Sequence, residues 1–464
     1  MAGCGVGKGG GQAPAPLPSG EGGDKSAAVN RTPPLTRRAV LAQAWPIVVG
    51  QASVPLVGLV DTAVIGRTGD AAALAGVALG GTIVNFALWT FGFLRMGMTG
   101  LTAQAHGAGD DRATAALVVR GILLGLGCGA AVLAVQALLV PAALHLMAGD
   151  AGLDASARAY VTARLYGAPA ALAVYAVVGW LFGLGRTRAA LAIQLVLNLA
   201  NIALCALYVW HLGWGVAGVG LATATADWLS LLLALAIATP ALRGWRDPHL
   251  LDRSALRRLF AVNGDIMIRT VALLAMFAWF ANAGARLGAE RLAAQQVLMQ
   301  FVAVAAFVLD GFAFTAEARV GQAIGAGSRA AVTRAIRLTG EFALGSAALF
   351  ALAILIAGGE GIALLTTNAA VRALARDGLV FVALIPLIGV PAWMLDGIFI
   401  GATAGRALRD AAILATALYV ATDLALRPLG SDGVWLAFIA AYVWRALALG
   451  WRLPGLLAKV GPAP

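Results

Sequence analysis

Apolar runs of roughly membrane-span length recur twelve times along this chain, and nothing else in it restricts the fold as tightly. About 20 helical residues cross a hydrocarbon core about 30 Å thick. With no water in that core, a spanning segment must satisfy its own backbone, as a helix does. The runs carry Gly, Ala and Leu without two-residue alternation, so they read as helices rather than barrel strands. Composition agrees: the chain is 61% hydrophobic and 12% charged, against about 25% charged for a soluble domain, and its mean hydropathy is +0.86. The expected fold class is an all-α polytopic membrane protein with twelve transmembrane helices.

The spans fall near 39–66, 77–104, 114–147, 157–184, 188–211 and 215–240, then near 259–287, 292–324, 333–358, 374–404, 408–427 and 433–452. Residues 1–36, rich in Gly, Pro and Ala, read as a disordered tail. A first lobe (37–242) is followed by a polar linker (243–258) with Pro248 and five arginines, a second lobe (259–455) and a short tail (456–464). The segment AQAHGAG at 103–109 matches GQAIGAG at 321–327 in five of seven places, and the same offset of 218 carries Gly179 and Gly183 onto Gly397 and Gly401. Two six-span lobes in tandem enter the membrane in the same orientation. They are therefore expected to be related by a pseudo-two-fold axis along the membrane normal.

Arginine supplies nearly all the positive charge, and it sits unevenly. Arg31, Arg37, Arg38, Arg112, Arg186, Arg188, the linker arginines, Arg329, Arg334, Arg406, Arg409 and Arg452 fall on one side; Arg67, Arg158, Arg286, Arg291, Arg372, Arg376 and Arg427 fall on the other. The richer side is expected to be cytoplasmic, which puts both termini inside a plasma (inner) membrane. The net charge of +11 is thus an orientation signal, and no nucleic-acid partner is expected. Cys4, Cys128 and Cys205 form no C-x-x-C pair, the four histidines are scattered, and no H-E-x-x-H helix occurs. No metal site, cofactor or enzymatic constellation is therefore expected.

Within this apolar frame, intramembrane polar residues mark candidate sites, because a charge there costs several kcal/mol. The foremost is Asp61, alone in Gly50–Gly69, six residues after Pro55. A carboxyl withdrawn from water can serve in proton exchange; the competing reading is a structural hydrogen bond. The corresponding position in the second lobe is Trp279 or Phe280, so the acid is not a packing feature common to both lobes. Asn198 and Asn201 lie in span 5, and Thr223 and Asp227 lie one turn apart in span 6; they are candidates for closing a network or lining a substrate cavity, with helix-packing hydrogen bonds as the alternative. Asp265 and Arg269 are one turn apart in span 7 and are expected to pair. Asp310 and Glu317 share a face of span 8, and with Arg95 they read as gating or lobe-fixing charges. Trp89, Phe91, Phe93, Trp180 and Phe312 are candidates for holding flat cations, or simply for packing.

Several long stretches resemble one family. GLVDTAVIGRTG, FGFLRMGMTGLTAQAHGAG and RLYGAPAALAVYAVVGWLFG resemble the first lobe of multidrug and toxic compound extrusion (MATE) transporters; NGDIMIRT, LDGFAFTAEARVGQAIGAG and LDGIFIGAT are similar to their DinF-like branch. The resemblance covers about 38–455. It implies secondary active efflux of organic, often cationic, compounds against protons or sodium, by alternating access of two six-helix lobes, in a monomer whose other partners are membrane lipids. It also implies ion coupling at Asp61, with Asn201 matching a family Asn. Cys205 stands where archaeal relatives carry a second Asp, and Asp396 matches an acid used for cation coupling in the NorM-like branch. The nearest alternative function is a flippase for a lipid-linked or other amphipathic metabolite.

Overall fold

The computed structural model describes residues 35–67, 70–147, 151–243 and 252–461. The predicted tail lies outside the described residues up to position 34, and so does the linker from 244 to 251. The first lobe contains α1 (Arg37–Gly66), α2 (Ala71–Thr90), α3 (Phe93–Gly107), α4 (Asp111–Met147), α5 (Ala151–Leu165), α6 (Ala168–Gly183), α7 (Thr187–Cys205, continued by a π turn at Ala206–His211) and α8 (Gly215–Leu242). The second contains α9 (Arg253–Ala285), α10 (Ala289–Gly325), α11 (Arg329–Leu365), α12 (Ala369–Asp377), α13 (Leu379–Gly401), α14 (Gly405–Leu426) and α15 (Gly430–Gly450), before a short α16 (Leu453–Leu457).

Among the described residues, ten helical runs are long and apolar enough to cross a membrane, and the pair formed by α5 and α6, bent by 51°, makes eleven. One of the ten, Gly405–Leu457, folds back on itself. Trp444 bonds to Thr422 at 3.2 Å and Arg452 to the Ala407 carbonyl at 2.8 Å, so α14 and α15 run antiparallel around the turn at Arg427–Leu429. That gives twelve crossings.

Three expected spans are broken. The second divides at Phe91–Gly92, where the Phe91 and Gly92 amides bond three residues back, to Leu88 and Trp89. The fourth divides before Pro169, whose missing N–H cannot continue the ladder from α5. The tenth divides at Gly378. By contrast α1 runs unbroken through Pro46 and Pro55, and α13 through Pro386 and Pro391.

The repeat read from the sequence is a packing device. A Cβ at Gly179 would strike the Arg95 carbonyl and one at Gly397 the Ala313 carbonyl; one at Gly183 would crowd the Thr99 carbonyl and one at Gly401 the Glu317 carbonyl. Each pair of partners is separated by the same 218 positions. Across the lobe boundary the relation becomes reciprocal: Gln104 Nε2 donates to the Gly401 carbonyl at 3.0 Å, while Gln322 Nε2 donates to the Gly183 carbonyl at 2.8 Å. Gly107 packs on the Gln322 carbonyl and Gly325 on that of Gln104. Two lobes exchanging identical bonds in this way are related by a two-fold axis.

The lobes meet along α1, α3, α9, α10 and α13. Their polar contacts lie toward the arginine-rich face: Arg37 with Glu341 at 2.9 Å, Arg258 with Gln104 at 2.9 Å, Arg95 with Glu317 at 3.6 Å, and the two glutamine bonds. The far halves of α2 and α10 carry no such bond among the described residues. The lobes are closed at one face.

Candidate functional site in the first lobe

Four helices of the first lobe converge on Asp61, which is 2% exposed. Tyr160 on α5 donates its hydroxyl to Oδ2 at 3.0 Å. Asn201 on α7 donates Nδ2 to Oδ1 at 3.3 Å, and Cys205, one turn on, approaches the same oxygen at 3.5 Å. Thr223 on α8 lies 3.5 Å from Oδ2 and accepts from Asn201 at 2.8 Å. Each donor is neutral, and no cation pairs directly with Asp61 among the described residues. The Asn201 carbonyl oxygen is buried with no donor. An acceptor left bare at a carboxylate is unusual, since buried polar atoms are nearly always paired.

One turn below Thr223, Asp227 takes an ion pair from Arg164, itself one turn from Tyr160. Asn198 sits on a different contact: it accepts from Gln194 at 3.1 Å and donates to the Ser53 carbonyl at 3.2 Å, tying α7 to α1. Asn198, Thr223 and Asp227, expected to line a substrate cavity, are all buried within the lobe.

The remaining charges sort differently from expectation. Asp265 and Arg269 do not pair with each other. Arg409 on α14 holds Asp265 at 2.6 Å, and Arg269 reaches across to Asp396 on α13, which also faces Arg445 at 3.7 Å. The spacing that brings two side chains together on an isolated helix loses to stronger partners supplied by neighbouring helices. A cation arriving at Asp396 has two guanidinium groups to displace. Arg95 lies over the Phe314 ring at 3.8 Å and beside Glu317, both from the opposite lobe. Asp310 is half-buried with no hydrogen bond or ion pair among the described residues. Trp180 donates to the Thr114 carbonyl at 3.0 Å, and Phe312 stacks on Phe342, so both are packing groups; Trp89 is 60% exposed. Among the described residues no three His, Cys, Asp or Glu side chains gather to hold a metal ion.

The MatE family model matches residues 46–207 and 266–442. The chain belongs to the MatE family. It is 38% identical over 419 residues to DNA damage-inducible protein F of Escherichia coli K12, covering 88% of this chain and 90% of that protein. It is 30% identical over 362 residues to multidrug resistance protein PmpM of Pseudomonas aeruginosa, covering 74% of each. Its fold is similar to that of the Vibrio cholerae MATE transporter VcmN in a bent form, with TM-score 0.83 at 19% identity over 94% of this chain and 98% of that one. It is likewise similar to that of a MOP superfamily transporter from Pyrococcus furiosus, with TM-score 0.82 at 19% identity over 95% and 100%.

In this MatE protein, sequence reasoning passed over Tyr160, Arg164, Asp423 and Arg445. Arg164, Asp423 and Arg445 lie inside predicted spans, so the rule that singled out Asp61 applies equally to them. Tyr160 carried no such signal; only the fold brings it to the acid.

Proposed function

We propose that Asp61 is the coupling residue of a secondary active multidrug efflux transporter working by alternating access. The observation that carries this reading is the Asp61 cluster itself, in which the carboxylate is held by neutral donors beside an unpaired carbonyl of Asn201. Protonation turns an acceptor oxygen of Asp61 into a donor, so the bonds that it accepts from Tyr160, Asn201 and Thr223 must rearrange. A sodium ion would instead find oxygens of Asp61, Thr223 and Tyr160 close together. Either event redirects hydrogen bonds among α1, α5, α7 and α8. Because α1 also lies against α10 of the other lobe, a shift of α1 reaches the lobe boundary, where it biases one state over the other.

Asn201 and Thr223 complete the ion site in this reading, and Asp227 with Arg164 braces it. Asp396 serves as a charged strut unless a cation displaces Arg269. The arginine-rich, closed face is cytoplasmic, so the cleft opens outward, with both termini inside an inner membrane and the transporter acting as a monomer. No cofactor or catalytic step takes part. With a single exchanging acid, one proton moves inward for each monovalent organic cation exported. That exchange is electroneutral and draws only on the pH gradient.

The test is efflux from proteoliposomes under separately imposed proton and sodium gradients. Asp61→Asn is expected to abolish gradient-driven efflux while the protein stays folded. Normal transport by that variant would sink the assignment.

A further inference from the structure

A groove of about 510 Å³ lies on the outside of the molecule where α1 of the first lobe meets α10 of the second. Its long wall is one stripe of α1 at helical spacing: Leu41, Trp45 and Val49 are 45%, 47% and 44% exposed, and Arg38 stands at the head of the stripe. Val308 and Phe312 of α10 form the facing wall, fixed by the stacking of Phe312 on Phe342 at 6.0 Å. At the back, Gly311 lets α10 close on Val48, where a Cβ would collide.

We propose that this groove binds an anionic phospholipid, its phosphate on Arg38 and one acyl chain along Trp45, Val49 and Phe312. Three observations commit it to that occupant. From Arg38 to Val49 the helix rises about 16 Å at 1.5 Å per residue, which matches half of a hydrocarbon core about 30 Å thick. The groove is therefore one leaflet deep, with its charge at the headgroup level. Its remaining walls are apolar, offering nothing to the backbone of a peptide. The charge is positive and available: Arg37 is taken by Glu341 and Arg334 by the Leu35 carbonyl, whereas Arg38 has no hydrogen bond or ion pair among the described residues. A cationic substrate is repelled there and an anionic headgroup attracted. Because one wall belongs to each lobe, the lipid bridges them and favours the arrangement closed at this face.

The experiment uses the full chain in detergent and measures binding of phosphatidylglycerol and of phosphatidylcholine with the same acyl chains by native mass spectrometry. The unsubstituted protein is expected to prefer phosphatidylglycerol. Arg38→Gln is expected to lower that preference about fivefold, since a basic group near a headgroup is worth about 1 kcal/mol. Arg38→Lys should retain most of it, and Arg188→Gln, at the same face but outside the groove, should leave it unchanged. Val49→Trp fills the groove and should weaken both lipids. An unchanged preference in Arg38→Gln, or an equal loss in Arg188→Gln, overturns the proposal. Should Arg38→Gln fail to fold, Val49→Trp decides: loss of lipid binding supports the site, and retention overturns it.

Discussion

Between α1 and α7 of the first lobe lies Asp61; between α9 and α14 of the second, at the corresponding positions of the repeat, lies Asp423. The acid has changed helix. Trp279 occupies the position of Asp61 and Asp423 that of Cys205, 218 residues apart in each case. In the first lobe the carboxylate is met by a phenol, an amide, a thiol and a hydroxyl. In the second it is met by the Trp279 indole at 2.9 Å and the Arg286 guanidinium at 2.8 Å, amid stacked rings such as Phe280 and Phe438. Either helix can carry the acid that ties this pair together. What differs is the partner's charge. A cation reaching Asp61 displaces no charge of the protein, whereas one reaching Asp423 must first displace Arg286. The second lobe pairs its acid with a guanidinium, whereas the acid of the first has only neutral donors among the described residues.

The strongest way to break this contrast is to neutralise each acid in turn. Asp61→Asn is expected to abolish coupled efflux. Asp423→Asn is expected to preserve it while lowering stability by about 2–3 kcal/mol, the cost of hydrogen bonds lost from a charged group, read from thermal unfolding. Loss of efflux in a folded Asp423→Asn protein would erase the distinction between the lobes. A second test changes the number of exchanging acids. With Asp61 alone, export of a monovalent cation should follow a pH gradient and ignore a potential clamped by potassium and valinomycin. Cys205→Asp adds a carboxylate in contact with the site; if it also exchanges a proton, 100 mV should then add about 2.3 kcal/mol of driving force. A variant that stays insensitive to potential would show that the added acid does not exchange.

Smaller effects sharpen the comparison further. Tyr160→Phe removes one hydrogen bond from Asp61, worth about 1 kcal/mol, and should shift the ion concentration for half-maximal efflux about fivefold. Trp279→Phe removes the matching bond to Asp423 and should alter stability alone. Smallest are Gln322→Ala, which deletes one of the reciprocal inter-lobe bonds, and Gln104→Ala, which deletes its counterpart together with the bonds to Thr403 and Arg258. Spin-label distances across the arginine-rich face should shift slightly in the first and more in the second. The double variant should favour separation more than either, while equal shifts in the singles would mean that the additional bonds of Gln104 do not hold the lobes together.

Much of this was legible in the residues. The twelve spans followed from run length, and the two-fold relation from one offset shared by two well-separated motifs. Asp61 stood out because an acid in an apolar helix is costly. Its neighbours were harder to read. Asn201 and Thr223 were candidates among many polar residues, and Tyr160 was not among them, because α5 and α1 are about a hundred positions apart and only packing makes them adjacent. The expected Asp265–Arg269 pair failed for a related reason. Spacing along one helix is a local rule, and Arg409 and Asp396 arrive from helices more than a hundred residues away with better geometry.

By itself the sequence determined the solvent, the secondary structure, the repeat and the presence of a costly acid, since each depends on hydropathy and spacing within a segment. Only the tertiary structure decided which acid is held by neutral groups and which by a guanidinium. Asp61 and Asp423 look alike in their own spans. The partner that meets each carboxylate lies on another helix, and its arrival depends on how the whole lobe packs.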